Sequence, residues 1–364
     1  MKRKIIMVIL VSTLVITMVA CGKNDNNNEG TEDIVIKEMT EEVEQEKEEV
    51  TIPEGMYRSE LTNEIISEEL KNQRPIAAMV DNEITALPHF GVADADIVYE
   101  LMNSLENDRI TRLMVIQKDW KEIEQLGSIR SSRTTNFYLM WEYNAILCHD
   151  GGPFYVEPYY EKDYTDHLNG IFSRVENGKK WEFTEYITAE DLEKGIASTG
   201  ISDEYNEYYE GPHFQFTDEV NQVTFEEDAD SFAATKIELP FEHNGSYLVY
   251  DEETKLYQYG EYGELHIDEL NDGVPTAFKN VIIQCCTFME LDENGYMVYN
   301  VIDEGLSGYY ITNGKANPIT WEKRGNTQAT KYFDAITGEE IVLNTGKIYI
   351  TIIPDDIWDD VVIK

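Results

Sequence analysis

The sequence predicts an α+β protein, with a layered mixed-sheet N-terminal domain with helices followed by a mostly antiparallel β C-terminal domain. Two observations carry this prediction. Buried-type apolar runs are interleaved with a helical pattern up to about residue 200, and short alternating runs separated by Gly, Asn and Asp turns dominate afterwards. The chain has 364 residues, which is enough for two domains beyond an N-terminal leader.

The first 21 residues have the pattern of a bacterial lipoprotein signal. Basic residues 2–4 precede an apolar stretch, residues 5–19, that is too short and wrongly flanked for a spanning helix. Small Ala20 and Gly22 flank Cys21, whose thiol becomes the lipid attachment site. We therefore expect a signal peptide at 1–20 and a palmitate-bearing Cys21 that anchors the protein to the extracytoplasmic face of the cell membrane. An ordinary cleaved signal or an N-terminal membrane helix is the alternative.

The segment that follows Cys21 is Asn-rich and then Glu-rich, with almost no large apolar residues. We interpret residues 21–56 as a lipidated, disordered acidic tether that like-charge repulsion extends. A solvated helix at 39–50 is the alternative, but it would lack an apolar stripe.

The chain is strongly acidic, with 71 Asp and Glu against 29 Lys and Arg and a net charge of −42. Such a field repels nucleic acid phosphates, so nucleic acid binding is disfavoured. Residues 271–273 and 292–295 resemble calcium loops superficially, but neither continues into the spaced carboxylates that such a loop needs. We interpret both as hairpin turns and predict no metal site and no cofactor.

The N-terminal domain, expected at 57–204, contains a buried-type strand at 76–80, a second strand at 97–101, an alternating strand at 111–117 and a fourth strand that leads up to His149. A helix is predicted over residues 131–143, because Phe137, Met140 and Trp141 share one face.

The C-terminal domain, expected at 205–364, follows a seam near 200–212 and has the short alternating runs of antiparallel β structure. Cys148, Cys285 and Cys286 lie in apolar strands and are expected to be buried thiols. No Cys/His spacing indicates zinc.

Two arginines three residues apart, Arg130 and Arg133, stand at a strand-to-helix junction of this acidic chain, and Arg112 lies in the preceding strand. If the helix begins at Ser131 or Ser132, its free N–H groups and the forked guanidinium groups converge on one spot. That arrangement binds phosphate or carboxylate.

The alternative is that nearby carboxylates pair with these arginines, since Arg–carboxylate networks commonly fix strand ends. Asp81, Asp94, Asp96 and Glu100 end or flank the neighbouring strands. The two interpretations are compatible if the carboxylates orient the arginines for a ligand.

His149, in the segment His149-Asp150-Gly151-Gly152, is expected at the rim of the same site. It is a candidate general base, with a hydrogen-bonded structural histidine as the alternative. Cys148 faces away from His149 on a strand, so the two do not form a nucleophilic pair. The sequence contains no GxSxG, SxxK, HExxH, P-loop or GxGxxG motif.

The motifs RPIAAMVDN (74–82), ADADIVYE (93–100), ITR (110–112), GSIRSSR (127–133) and HDGG (149–152) resemble, in the same order, the N-terminal domain of YerB-like lipoproteins. KNVIIQ (279–284), TWEK (320–323) and LNTG (343–346) resemble the C-terminal domain of that family, so the resemblance covers nearly the whole mature chain.

This resemblance implies a lipoprotein of Gram-positive bacteria with a layered α+β fold, a domain of unknown function and no accepted active site. The polar positions characteristic of the family, which we take as candidate ligand-binding residues, fall on Asp81, Asn82, Asp94, Asp96, Glu100, Arg112, Arg130, Arg133 and His149. The chain departs from the family pattern at 151–153, where a Gly-Gly-Ser-Pro turn is shortened to Gly-Gly-Pro. It departs again at 182–184, where Glu-Phe-Thr replaces a Pro-His-Asn stretch.

These observations lead to three hypotheses of function. The first is a lipoprotein that binds an anionic cell-envelope ligand through an arginine-lined cleft. The second is an envelope enzyme acting on a phosphate-containing cell-wall polymer, with Asp81 or His149 as base. The third is a non-catalytic scaffold for membrane-associated proteins, in which the arginines are structural. The sequence identifies no protein partner.

Overall fold

The structure is a computed structural model that describes residues 51–106, 108–226 and 228–364. The predicted signal peptide, Cys21 and the acidic tether up to residue 50 lie outside the described residues. Within the described ranges, no helix is both long enough and apolar enough to cross a membrane.

Up to residue 200 the structure combines strands with a few short helices. The strands are β1 (Met56–Arg58), β2 (Ile65–Ser67), β3 (Ile76–Asp81), β4 (Ile97–Met102), β5 (Thr111–Gln117), β6 (Leu126–Gly127), β7 (Ile146–His149), β8 (His167–Asn169), β9 (Ser173–Arg174) and β10 (Glu185–Ile187). The α-helices are α1 (Thr134–Glu142), α2 (Glu157–Tyr160) and α3 (Ala189–Thr199). Turns of 3₁₀ helix lie at Glu68–Leu70, Ile84–Ala86, Val92–Asp94, Trp120–Glu122, Phe154–Val156 and Trp181–Phe183.

Beyond residue 200 the regular structure is almost entirely β. The strands are β11 (Phe232–Ala233), β12 (Lys236–Glu238), β13 (Tyr247–Asp251), β14 (Leu256–Glu261), β15 (Glu264–Leu265), β16 (Ala277–Phe278), β17 (Asn280–Cys286), β18 (Phe288–Glu290), β19 (Met297–Tyr299), β20 (Glu304–Thr312), β21 (Lys315–Glu322), β22 (Lys331–Asp334), β23 (Ile348–Pro354) and β24 (Val362–Ile363). One 3₁₀ segment lies at Asp355–Asp360.

The main sheet joins strands from both halves of the chain. Its order is β11-β21-β20-β17-β23-β4-β5-β3-β7-β8, with β22 paired to β21. At its centre β23 is parallel to both β17 and β4. Every residue of β3, β4, β5 and β23 is buried, which explains why apolar side chains occupy both faces of these strands.

The two faces of the main sheet are covered by different structures. On one face, the hydroxyl groups of Tyr99 and Tyr143 lie 2.7 Å apart where the end of α1 packs. On the other face, a second sheet of order β15-β14-β13-β12-β24, with β16 paired to β14, brings Tyr259 and Phe278 against Tyr349. The polar side chains that emerge from the sheet therefore enter two separate environments.

The protein is mostly β, with mixed and antiparallel sheets, and a helix-rich layer is not confirmed. The predicted helix at 131–143 begins three residues later, at Thr134. The reason is that the Arg130 N–H donates to Met79 O and the Ser132 N–H donates to Gly151 O, which holds the chain extended. The C-terminal half is mostly antiparallel as predicted, apart from the parallel pairing of β23.

The turn predicted at 292–295 connects β18 to β19, and residues 271–273 also form a turn. Cys148 and Cys286 are buried free thiols, and Cys285 is a half-buried one.

A buried ion cluster ties the end of α1 to the second half of the chain. Glu142 Oε1 lies 3.0 Å from Lys323 Nζ, and both side chains are fully buried. Glu142 Oε2 accepts hydrogen bonds from His213 Nε2 at 2.5 Å and from Thr330 N at 2.8 Å. Burial alone would raise the pKa of Glu142, but Lys323 and the His213 hydrogen bond outweigh it and lower the pKa to about 2.

We predict that Lys323→Met lowers the free energy of unfolding by about 3–5 kcal/mol, because it leaves a buried carboxylate without its cation. Urea denaturation at neutral pH measures this loss. Lys194→Met is the control, because Lys194 and Glu190 form an exposed pair on α3 that solvent screens. Equal losses in the two variants would contradict the structural role of the cluster.

Glu142 should also make stability depend on pH. Its pKa is lower in the folded protein than in the unfolded chain, so its contribution is present above the ordinary value of 4.5 and is lost as pH falls toward about 2. We expect the stability difference between the protein and Glu142→Gln to shrink over that window. Urea midpoints measured in steps from about pH 5 to pH 2 give the difference directly; a constant difference would contradict the low pKa.

Candidate functional site

The segment between β6 and α1 is held between strand β3 and the turn after β7. Residue 129 bridges Val80 of β3, and Ser131 Oγ donates a 2.8 Å hydrogen bond to Asp150 O. Gly152 allows the turn to approach closely, because a Cβ there would lie 2.7 Å from Val156 Cγ2 and 3.2 Å from Ser132 Oγ. The positions of Arg130 and Arg133 are therefore set by strand and turn contacts.

Arg112, Arg130, Arg133 and Asp81 form what we call the arginine group. Asp81 and Arg112 are direct partners across β3 and β5, so both side chains emerge on the face that α1 covers. The Nε of Arg130 lies 3.0 Å from Asp81 Oδ2. Arg133 precedes the first residue of α1 and its guanidinium lies over the Tyr296 ring, 4.7 Å from the centroid.

The electrostatics of this group are unbalanced, since three guanidinium groups surround one buried carboxylate. Burial lowers the pKa of Arg112 to about 9; Arg133 and Arg130 lower it too, and Asp81 opposes them. Burial also lowers the pKa of Arg133, with Arg130 adding to the effect and Tyr296 opposing it. Each additional negative charge placed here would be stabilised.

The guanidinium groups also retain unused donors. Arg112 donates from Nη1 to Ser131 O at 2.6 Å, and Arg133 donates from Nη1 to Ser132 O at 2.8 Å. Among the described residues, no acceptor bonds the buried Nε atoms of Arg112 and Arg133. Forked donors of this kind match the oxygens of phosphate or carboxylate.

Arg130 connects the group to solvent. Its side chain is 29% exposed, and Nη1 lies 3.5 Å from Oε2 of Glu182, which is 44% exposed. The Phe183 ring lies under the same guanidinium, 5.6 Å away. Glu182 therefore places a half-exposed carboxylate beside the solvent-facing end of Arg130.

His149 is buried beside the group, and Tyr160 lies between them. Its Nδ1 lies 2.8 Å from Gly151 O and its Nε2 lies 3.1 Å from His167 Nδ1, so both ring nitrogens have partners. Tyr160 stacks on His149, and its hydroxyl lies 3.4 Å from Ser132 Oγ. Burial lowers the pKa of His149 to about 4, which keeps the ring neutral at neutral pH.

Asn82 and Glu100 point to the opposite face of the main sheet, one residue away from Asp81 and Leu101 in an alternating strand. Both are fully buried. The Glu100 carboxylate accepts hydrogen bonds from the side chains of Asn82 (3.2 Å), Asn244 (2.8 Å), Tyr259 (3.1 Å) and Tyr349 (2.5 Å).

Asp94 and Asp96 lie at the other end of β4, since the start of that strand pairs with the end of β5. Asp96 Oδ2 accepts a 2.6 Å hydrogen bond from Lys118 N, and burial raises its pKa to about 7. Asp94 is exposed and lines a separate pocket with Lys279 and Lys347. Of the four carboxylates considered as partners of the arginines, Asp81 is the one that lies against them.

Tyr296 and Glu182 belong to the site but were missed by the sequence reasoning. Tyr296 lies in the β18–β19 hairpin, whose bridge to Ser104 brings it to the group from the other half of the chain. No local pattern could have indicated that contact. Glu182 was noted only as a departure from the family pattern.

Comparison with known proteins finds two matching family domains, as the resemblance of the sequence motifs predicts. Residues 61–202 match the N-terminal domain described as a protein of unknown function (DUF3048), and residues 237–350 match the C-terminal domain of the same description. A Bacillus subtilis (strain 168) protein, YerB, whose name describes it as a lipoprotein, is 23% identical over 323 residues, which are 85% of this chain and 90% of that protein.

The fold is also similar to a solved structure. The crystal structure of the Bacillus subtilis YerB protein aligns with a TM-score of 0.70 at 21% sequence identity, covering 84% of this chain and 99% of the other.

We predict that Asp81→Asn destabilises the protein by about 3–5 kcal/mol, because it leaves three neighbouring guanidinium groups without their buried counter-charge. Urea denaturation measures the loss. Glu182→Gln is the control, since that carboxylate is exposed and its removal should cost less than about 1 kcal/mol. The double variant Asp81→Asn/Arg130→Met should recover part of the loss; strictly additive losses would contradict the coupling.

Proposed function

The chain belongs to the DUF3048 family, whose two domains together match most of it, and on this premise we propose that it is a lipid-anchored extracytoplasmic protein that binds an anionic cell-envelope ligand through the arginine group. The descriptions of both domains attach no function to them, so the proposal depends on the chemistry of the site. The ligand we propose carries phosphate or carboxylate groups.

The proposed location depends on residues outside the described structure. Basic residues 2–4, the apolar stretch 5–19 and Cys21 form the lipoprotein signal, and the relative from Bacillus subtilis is also named as a lipoprotein. The acidic segment after Cys21 would hold the folded part away from the membrane, because its like charges repel one another.

The observation that carries the proposal is the imbalance of charge and donors in the arginine group. Asp81 pairs with Arg130 and also acts electrostatically on Arg112 and Arg133, and the buried Nε atoms of Arg112 and Arg133 have no acceptor among the described residues. An oxyanion at this point would accept from those donors and reduce the mutual repulsion of the guanidinium groups.

An exposed aromatic ring next to Glu182 suits a ligand that is larger than a single ion. Trp181, which precedes Glu182, is 72% exposed, and its ring lies 4.0 Å from the Arg174 guanidinium. An aromatic face at an edge of an anion site favours a polymer whose sugars or peptide groups flank its charges. A phosphate-bearing glycopolymer or a peptide with free carboxylates meets both requirements.

The arrangement favours binding over catalysis. Asp81 is paired with Arg130, and both ring nitrogens of His149 already have partners. Neither group is available as a base in the state that the structure presents. An enzyme acting on a phosphate-containing polymer is therefore the second candidate, and the same experiment tests it.

The test is a titration of the full chain, purified in detergent, with inorganic phosphate, pyrophosphate and a glycerol-phosphate polymer. We expect binding by calorimetry and a rise in the free energy of unfolding, about 2.7 kcal/mol when ligand is at 100 times its dissociation constant. Arg112→Gln should abolish both effects, because it removes the buried, incompletely paired guanidinium.

Arg109→Gln is the matched control. It removes the same charge, but the Arg109 guanidinium is bonded to both carboxylate oxygens of Asp356 at an exposed position. Equal responses of the two variants would contradict the proposal. If the protein releases product from the polymer, and this release is lost when Arg130 is replaced, then the enzymatic function is supported instead of binding alone.

A further inference from the structure

Two histidines and a glutamate from distant parts of the chain meet in the interior, between the main and second sheets. His89 follows β3, Glu261 ends β14, and His266 follows β15. All three side chains are buried, and their candidate ligand atoms lie within 4.8 Å of one another. This cluster lies on the other side of Asp81 from the arginine group.

The ring nitrogens that face each other are His89 Nδ1 and His266 Nε2, at 2.8 Å. The remaining nitrogen of each ring is held by an oxygen. His89 Nε2 lies 2.6 Å from Asp81 O, and His266 Nδ1 lies 2.9 Å from Thr276 Oγ1. When those outer nitrogens carry the protons, both inner nitrogens present lone pairs to the same space. This is the arrangement that orients metal-binding histidines.

Glu261 supplies an independent sign of a missing partner. Its Oε1 is buried, has no hydrogen-bond partner among the described residues, and lies 4.0 Å from His266 Nε2. Its Oε2, by contrast, accepts from Asn244 and Tyr259 at 3.3 and 3.4 Å. Burial, followed by the neighbouring Glu100, raises the pKa of Glu261 to about 8. A cation at Oε1 would offset both effects.

We propose that His89, Glu261 and His266 bind one divalent transition-metal ion of the Zn²⁺ type, which joins the two halves of the chain. The donor set of two imidazoles and one carboxylate is typical of zinc and similar ions. It does not suit Ca²⁺ or Mg²⁺, which take oxygen ligands. Three protein ligands leave a fourth position for water.

The geometry requires only small side-chain adjustments. Tetrahedral zinc with ligands at about 2.0–2.2 Å separates those ligand atoms by about 3.3–3.6 Å. The inner histidine nitrogens at 2.8 Å must therefore part slightly, and Glu261 Oε1 at 4.0 Å must approach. The backbone around the site is fixed independently, since Asp268 accepts hydrogen bonds from Gly91 N and Ala93 N, both at 3.1 Å.

The site also reaches the arginine group through the backbone. The carbonyl oxygen of Asp81 contacts His89, and its carboxylate contacts Arg130. An ion bound to His89 would therefore polarise the imidazole that holds Asp81 in place. The proposal does not depend on the anionic ligand, because none of the three metal ligands belongs to the arginine group.

The experiment uses the full chain, purified in detergent with a tag that lacks histidine, stripped with a chelator and titrated with Zn²⁺ and with Co²⁺. Excess Mg²⁺ occupies the surface carboxylates of this acidic chain. We expect one tightly bound ion per chain, visible ligand-field bands with Co²⁺, and a higher melting temperature with Zn²⁺.

Glu261→Gln and His266→Ala should weaken Zn²⁺ binding by more than the about 10–100-fold that losing an outer partner costs. His167→Gln is the matched control, because His167 contacts His149 in a second histidine pair that lies outside the cluster of His89, Glu261 and His266. It should leave the affinity unchanged.

Failure of the protein itself to bind an ion in excess Mg²⁺ would overturn the proposal, with Glu261 then carrying a proton instead. Equal affinity in Glu261→Gln, His266→Ala and His167→Gln would also overturn it. If the ligand variants do not fold, X-ray absorption of the Zn²⁺-loaded protein decides: two imidazoles with oxygen support the site, and sulfur or oxygen alone overturns it.

Discussion

The parallel pairing of β23 with β4 is the constraint on which the rest of the structure depends. It places a strand from near residue 350 beside strands from the first half of the chain, so the two matched family domains share one sheet. Tyr349 thereby reaches Glu100, and the second sheet is carried onto the same face. The contacts that Tyr296, Glu261 and His266 make with the first half all require this arrangement.

Asp81 is the residue at which the two faces of the sheet communicate. Its carboxylate pairs with Arg130 on one side, and its carbonyl oxygen holds His89 on the other. The neighbouring Asn82 contributes its side chain to the Glu100 network. Two adjacent residues at the end of one strand therefore organise a cationic group and an acidic interior, which is possible because successive strand residues point to opposite faces.

Much of the first half was predictable from the sequence because its strands are buried on both faces. The runs that form β3, β4 and β5 are mostly apolar, and polar residues such as Asp81, Glu100 and Arg112 lie at or near the strand ends. The meeting of Arg112, Arg130 and Arg133 followed from their position at such ends. The start of α1 was predicted too early, because the N–H groups of Arg130 and Ser132 donate to β3 and to the turn after β7.

What the sequence could not indicate was strand register and long-range pairing. Period-two alternation alone does not say that Glu100 and Arg112 face opposite sides; that requires knowing that Leu101 is the partner of Arg112. The spacing of His89, Glu261 and His266 matches no local metal motif, because His89 is far from the other two in the sequence and meets them only in the folded protein.

The position of β23 also has a consequence for how the protein matures. Strand β4 has a partner on one side in β5, but its other edge stays open until β23, about 250 residues later in the chain, has been delivered. During that interval the unpaired backbone N–H and C=O groups of this edge are available to other chains. We expect the protein to fold slowly for its size, because strands made early cannot complete their pairing until late strands are present. We also expect it to depend on chaperones at the site where the polypeptide emerges.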